Sequence, residues 1–248
     1  MNATFLKRLS LVCTAVLAMG AAQASVVITG TRVIYPSAEK EVTVKLNNDG
    51  TVPALVQTWI DDGDSSTDAQ KKAMPFTLTP PVFRIDPAKG QTLRMMYTQD
   101  PLPQDRESVY YLNVLEIPPR PQVDGGRNML QMAFRSRIKI FFRPKGLEGD
   151  ANDAPAKVTW SVVQDAAGKG VALEANNPTP YHVNVSKTSI EVGGKVYESA
   201  PGLVEPFAKH SFVLDGLSTL PPAALRVQYK TVNDYGATVP AVFPPENR

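Results

Sequence analysis

Apolar and polar residues alternate with a period of two through much of this chain. The longest instance runs from Asn128 to Pro144. Leu130, Met132, Phe134, Ile138, Ile140 and Phe142 occupy even positions, and Arg135, Arg137, Lys139 and Arg143 occupy odd ones. Side chains on a strand point to opposite faces in turn, so this pattern predicts a β-strand. It is longer than the usual strand of about 5–6 residues. A long apolar strand at a sheet edge invites pairing with another chain. The question it raises is what it pairs with.

The same alternation recurs in shorter runs separated by Pro, Gly, Asn and Asp. In the first half they are Val26–Tyr35, Glu41–Asn47, Ala54–Asp61, Pro81–Ile85, Thr92–Thr98, Ser108–Ile117 and Met129–Arg143. Seven short strands in such a span predict an all-β sandwich. Pro144 to Asp150 has linker composition. The pattern then restarts with Val158–Val163, Val171–Ala175, His182–Val185, Ser189–Val192, Lys209–Leu214, Leu225–Thr231 and Thr238–Phe243. The expected fold is all-β: two tandem immunoglobulin-like sandwiches with a cleft between them. The expected domains are 25–146 and 147–248. A single larger β-domain is the alternative at this length. No amphipathic helical run of convincing length occurs. The polar stretch Asp61–Lys72 reads as a solvent-exposed loop. It lacks the mid-loop Gly and twelfth-position Glu of a calcium loop.

Residues 1–24 read differently. Lys7 and Arg8 precede a mostly apolar run, Leu9 to Ala18, and Ala22-Gln23-Ala24 is a small-residue cleavage site. This is the pattern of a secretory signal peptide cut before Ser25. The run is shorter than the roughly 20 residues of a spanning helix. The leader takes two basic residues from a total of 26, so the mature chain holds 24 basic and 24 acidic residues. That balance excludes the strong basic excess of a nucleic-acid binder. The charge is uneven: residues 25–146 hold 16 basic and 13 acidic, and the remainder 8 and 11. The only cysteine, Cys13, lies in the leader. The mature chain can therefore enter an oxidising compartment without disulfides.

Catalytic chemistry has little to work with. His182 and His210 are the two histidines, and neither is patterned with a nucleophile. Both read as structural or surface residues. The sequence carries no nucleophile elbow, zinc-binding helix or phosphate-binding glycine loop. An enzyme is not expected, and neither is a metal site.

One stretch is more specific. Leu102-Pro103-x-Asp105-Arg106-Glu107-Ser108 is followed by Tyr111-x-Asn113-Val114 and then Ile117-Pro118-Pro119. Physically it is a charged turn and a strand stopped by prolines, which cannot donate to a ladder. This stretch resembles the signature of the periplasmic chaperones that assemble pili by the chaperone–usher pathway. Gly30–Pro36, Thr79–Pro87, Arg137–Pro144, Asn177–Tyr181 and Asn233–Gly236 are similar to further segments of that family. The short connection Pro121–Arg127 and the absent cysteines resemble its short-loop branch.

The resemblance implies a periplasmic binding protein without cofactor. It would cap pilus subunits, which are immunoglobulin-like folds lacking their last strand, and deliver them to an outer-membrane usher. Capping of pilins by a chaperone strand is itself an established instance of strand addition. Leu130, Met132 and Phe134 match the donor residues; Ile138, Ile140 and Phe142 are expected in the domain's own core. Arg32 and Lys139 match a pair of cations that hold the subunit's C-terminal carboxylate. Arg94, Glu107 and Asp234 are expected to form ion pairs between the domains. Arg135 and Arg137 are expected to be solvated edge charges that discourage self-pairing. Near-zero net charge and an apolar edge allow weak self-association of the free protein. The alternative is a two-domain immunoglobulin-like adhesin or pilus subunit, which would need an incomplete fold; seven strands in each half argue against it.

Overall fold

Two hydrophobic cores organise the chain. The computed structural model describes residues 25–64, 72–119, 132–165, 168, 170–221 and 226–244. The first sandwich contains β1 (Val26–Ile28), β2 (Arg32–Pro36), β3 (Val42–Asn48), β4 (Ala54–Asp61), β5 (Phe76–Thr79), β6 (Val82–Ile85), β7 (Gly90–Tyr97), β8 (Ser108–Ile117) and β9 (Phe134–Arg143). One sheet has the order β1-β3-β7-β5 and the other β2-β9-β8-β4-β6. Alternation decides which side chains enter. Val44 and Leu46, Leu93 and Met95, Leu112 and Val114, and Ile140 and Phe142 all turn inward, and Ile138 packs against them. Tyr35 is fully buried, 5.5 Å from Phe76 between ring centres.

The first predicted strand is in fact two. Gly30, at φ 102°, breaks Val26–Tyr35, and the chain passes from one sheet to the other. β2 then runs parallel to β9. β5 has no counterpart in the sequence reading. Asp61, read both as the end of the strand Ala54–Asp61 and as the start of the polar loop, is the last residue of β4 and fully buried. Asp62, Gly63 and Asp64 are exposed, as expected for a loop.

The second sandwich contains a single helical turn α1 (Ala154–Lys157) and β10 (Thr159–Gln164), β11 (Val171–Asn176), β12 (Val183–Val192), β13 (Lys195–Glu198), β14 (Gly202–Val204), β15 (Lys209–Val213), β16 (Val227–Val232) and β17 (Thr238–Phe243). Its sheets are β10-β11-β15 and β13-β12-β16-β17, with β14 also on β12. Trp160, Leu173, Ile190, Phe212, Leu214 and Tyr229 form its core, and Leu147 and Ala151 already pack against it. The two strands expected at His182–Val185 and Ser189–Val192 are one, β12, with a bulge between Val185 and Lys187. Across the cleft, the β16–β17 turn leans on the start of β2. A Cβ at Gly236 would sit 2.6 Å from Thr31 Oγ1, and its φ of 83° is one that L side chains rarely adopt, so glycine suits this approach.

Candidate functional site

β9 has one fully paired side and one partly open side. β8 covers it from Phe134 to Phe142. β2 covers the other side only from Lys139 to Arg143. Among the described residues, Phe134 to Ile138 therefore has a free edge. Such an edge is a template for another strand. Met132, just before it, is 56% exposed, and Phe134 is half-buried. Leu130 lies outside the described residues, as does the Pro121–Arg127 connection.

Arg32 and Lys139 meet where the open edge ends, directly paired in the β2–β9 register. They line one surface pocket with Thr31, Tyr111, Arg137 and Ile138. Arg32 Nη1 donates to the Val232 carbonyl of the second domain at 2.9 Å. Its Nε is buried with no acceptor. Burial pulls the Arg32 pKa down, and Asp234 offsets part of that. Lys139 has neither a hydrogen-bond acceptor nor a counter-ion among the described residues. Burial pulls its pKa down as well, and the positive charges of Arg32 and Arg137 pull it further. Two desolvated cations with unused donors favour a carboxylate, which would form charge-assisted hydrogen bonds.

The neighbouring cations are not solvated edge charges. Buried Asp61 receives a hydrogen bond from Asn113 Nδ2 at 2.6 Å and one from the Gly63 amide at 2.9 Å. Arg137 pairs with the same carboxylate and lies over the Tyr111 ring at 3.7 Å. Arg135 donates to Asn113 Oδ1 at 2.7 Å and lies over Trp59. Burial works to raise the Asp61 pKa, but the hydrogen bonds from Arg137, Asn113 and Gly63 outweigh it and hold the group below its ordinary value. β4 and β9 share this outer face, where the buried Asp61 meets both arginines, a pairing that local alternation does not encode.

The interdomain network also differs from expectation. Arg94 sits on β7, in the sheet that does not carry β9, and bonds Glu41 at 2.9 Å in an exposed pair. The cation between Glu107 and Asp234 is Arg143. Its Nε and Nη2 reach Glu107 Oε1 at 3.0 and 2.8 Å, and its Nη1 reaches Asp234 Oδ2 at 2.8 Å. Burial tends to lower the Arg143 pKa, but Asp234 and Glu107 raise it well above its ordinary value. Glu107 Oε2 takes the His182 backbone amide at 2.9 Å and faces Nδ1 at 3.0 Å. His182 is thus a structural link between domains. Arg143 was visible in the sequence as the last odd-position cation of the long strand, on the same face as Lys139. A cavity of about 250 Å³ lies in the cleft beside these residues. Among the described residues no cluster of three or more His, Cys, Asp or Glu could hold a metal.

Residues 25–148 match the model of the pili and flagellar-assembly chaperone, PapD N-terminal domain, and residues 153–243 match that of the pili assembly chaperone PapD, C-terminal domain. The chain belongs to the pilus-assembly chaperone family. The chaperone is 43% identical over 219 residues to a probable fimbrial chaperone of Escherichia coli, YadV, covering 87% of this chain and 88% of that one. It is 44% identical over 224 residues to the chaperone protein FimB/FhaD of Bordetella pertussis, covering 89% and 88%. The crystal structure of YadV superposes with a TM-score of 0.76 at 41% identity, over 88% of this chain and 98% of that one. A structure of the Salmonella enterica SafA pilin in complex with the SafB chaperone matches with a TM-score of 0.71 at 25% identity, over 90% and 98%. These relatives do not favour the adhesin or subunit alternative. Among the described residues no helix is long and apolar enough to cross a membrane.

Proposed function

We propose that this chaperone caps pilus subunits in the periplasm by lending them the open edge of β9. The observation that carries the reading is the unpaired run Phe134 to Ile138, which ends at the Arg32–Lys139 pair. A subunit missing its last strand has unpaired backbone groups and an open core. Strand addition satisfies the first, and alternate side chains fill the second. Leu130, Met132 and Phe134 are the donors, each contributing roughly 1.5–3 kcal/mol when buried. The subunit's C-terminal carboxylate sits between Arg32 and Lys139 and sets the register. A period-two strand needs such a stop, because a one-residue slip reverses every side chain. The SafA pilin held by SafB supports the same partner class for this chain.

Residues 1–24 are the signal peptide that brings the chain to the periplasm, and the domain boundary falls at 146/147. Arg143, Glu107, Asp234 and His182 hold the two domains at the angle the cleft requires. An outer-membrane usher receives the loaded complex. No catalysis and no cofactor are involved. The free protein pairs weakly with itself through the same edge; a monomeric sedimentation mass at high concentration would rule this out.

The test is a periplasmic pull-down with the tagged mature protein beside its Lys139→Ala variant, with captured proteins identified by mass. Small immunoglobulin-like subunits held by the wild type and lost from the variant are the expected result. Equal capture by both would remove the anchor. Failure of both to capture any subunit would remove the capping reading.

A further inference from the structure

Among the described residues, no cation accompanies the buried carboxylate of Glu116. It sits on β8 with only 8% of its surface exposed. Among the described residues, its hydrogen-bond partners are two residues at the start of the first domain. The amides of Ser25 and Val26 both donate to Oε2 at 3.0 Å, and the Ser25 hydroxyl donates to Oε1. No Lys, Arg or His among the described residues pairs with it. A buried charge is normally paired, because desolvating it alone costs far more than neutral donors return.

Ser25 itself is held in a fitted socket. The Asp49 amide donates to its carbonyl at 2.8 Å. Gly50 lies so close that a Cβ there would stand 2.4 Å from the Ser25 Cβ. The nitrogen of residue 25 is thereby fixed against the carboxylate. In the precursor this nitrogen is a neutral peptide amide. Cleavage before Ser25 turns it into an ammonium at the same place.

We infer that Glu116 is the binding site for the α-ammonium of the mature chain, so that signal cleavage supplies the missing cation and locks the first domain. The inference rests on the proposed cleavage before Ser25. The charged donor replaces a neutral one at an existing 3.0 Å contact. A hydrogen bond gains strength when both partners are ionised. The lock is specific in position as well as charge. One added residue moves the ammonium by about 3.8 Å, out of reach of an immobile carboxylate, and leaves an amide in its place.

The experiment has two parts. The intact mass of the protein recovered from the periplasm gives its first residue. Thermal unfolding then compares mature chains beginning at Ser25 with chains carrying one added Gly before Ser25, both released from a cleavable fusion. Each is made with Glu116 and with Glu116→Gln. The expected result is a mass starting at Ser25 and an unfolding midpoint roughly 3–6 °C higher for the Ser25 start than for the Gly extension. With Glu116→Gln that difference shrinks to about 1 °C or less by the same arithmetic. A Ser25 start with the same difference in both backgrounds, or with none in either, overturns the inference and leaves the cleavage reading intact. A different first residue overturns both.

Discussion

Arg32 and Lys139 stand directly opposite each other in the parallel register of β2 and β9, two cations with no anion between them among the described residues. Arg32 is also bonded to Val232 of the second domain. Lys139 has no such second task. Lys139→Ala should therefore weaken subunit binding without loosening the domains. Losing one charge-assisted contact of about 1.5–3 kcal/mol corresponds to roughly 10- to 100-fold in Kd. Titration of a subunit against both proteins measures it. Because Lys139 is desolvated beside like charges, its removal should leave the unfolding midpoint unchanged or slightly raised. A clear drop in midpoint would mean that Lys139 holds the fold instead.

Asp61 makes a different demand on the same face. Arg137, Asn113, Gly63 and, at 3.7 Å, Arg135 all converge on its buried carboxylate. Asp61→Asn leaves two arginines short of their counter-ion, a loss of roughly 2–4 kcal/mol. The sign of the pH effect follows from the lowered pKa. The ionised form is favoured in the folded state, so its contribution is complete above the ordinary aspartate value. It is lost as pH falls from there through the folded-state value. Denaturant unfolding between about pH 2 and 5 should show a steeper loss of stability for the wild type than for Asp61→Asn. Parallel curves in that window would contradict the assignment.

The sandwiches were legible because alternation and breakers are local. β4, β8 and β17 have the bounds that the sequence predicts. What was lost depended on neighbours distant in the chain. Asp61 opens a run of acids that looks like loop, yet its parity on β4 puts it under Arg135 and Arg137, about 75 residues away. Arg94 and Arg143 are both strand arginines near acids. Only the sheet assignment decides which faces the cleft, and a strand's sheet is not written in its own residues. Glu116 is hidden in the same way, since its partners lie 90 and 91 residues earlier.

The two domains should be separable by one substitution. Among the described residues Arg143 is the one cation that bonds both Glu107 and Asp234. Removing one partner of a buried pair is far more damaging than the pair's net worth. Arg143→Ala leaves Glu107, with a side chain only 1% exposed, facing His182 without its guanidinium. The expected loss is roughly 3–5 kcal/mol and a sharply lower periplasmic level. Asp234→Ala should be milder, because its carboxylate is 24% exposed. Its signature is a wider spread of domain angles by small-angle scattering, with a smaller fall in abundance. Normal abundance and an unchanged scattering profile for both variants would exclude a role in fixing the domain angle.

Met132 separates binding from folding most cleanly. It is 56% exposed and precedes the first paired residue of β9, so the free protein gains little from its side chain. Truncation to Ala should leave the unfolding midpoint within error. In a capped subunit the same side chain would be buried, and its loss would weaken the complex by roughly 1.5–3 kcal/mol. Met132→Asp should go further, since a carboxylate cannot be buried unpaired. Phe134 offers the comparison. It is already half-buried in the free protein, so Phe134→Ala should lower both the midpoint and the affinity. The informative quantity is the ratio of binding loss to folding loss, measured by subunit titration and thermal unfolding on the same preparations. That ratio should be larger at Met132 than at Phe134. The reverse order would mean that the strand enters the subunit in another register, with Phe134 as the leading side chain.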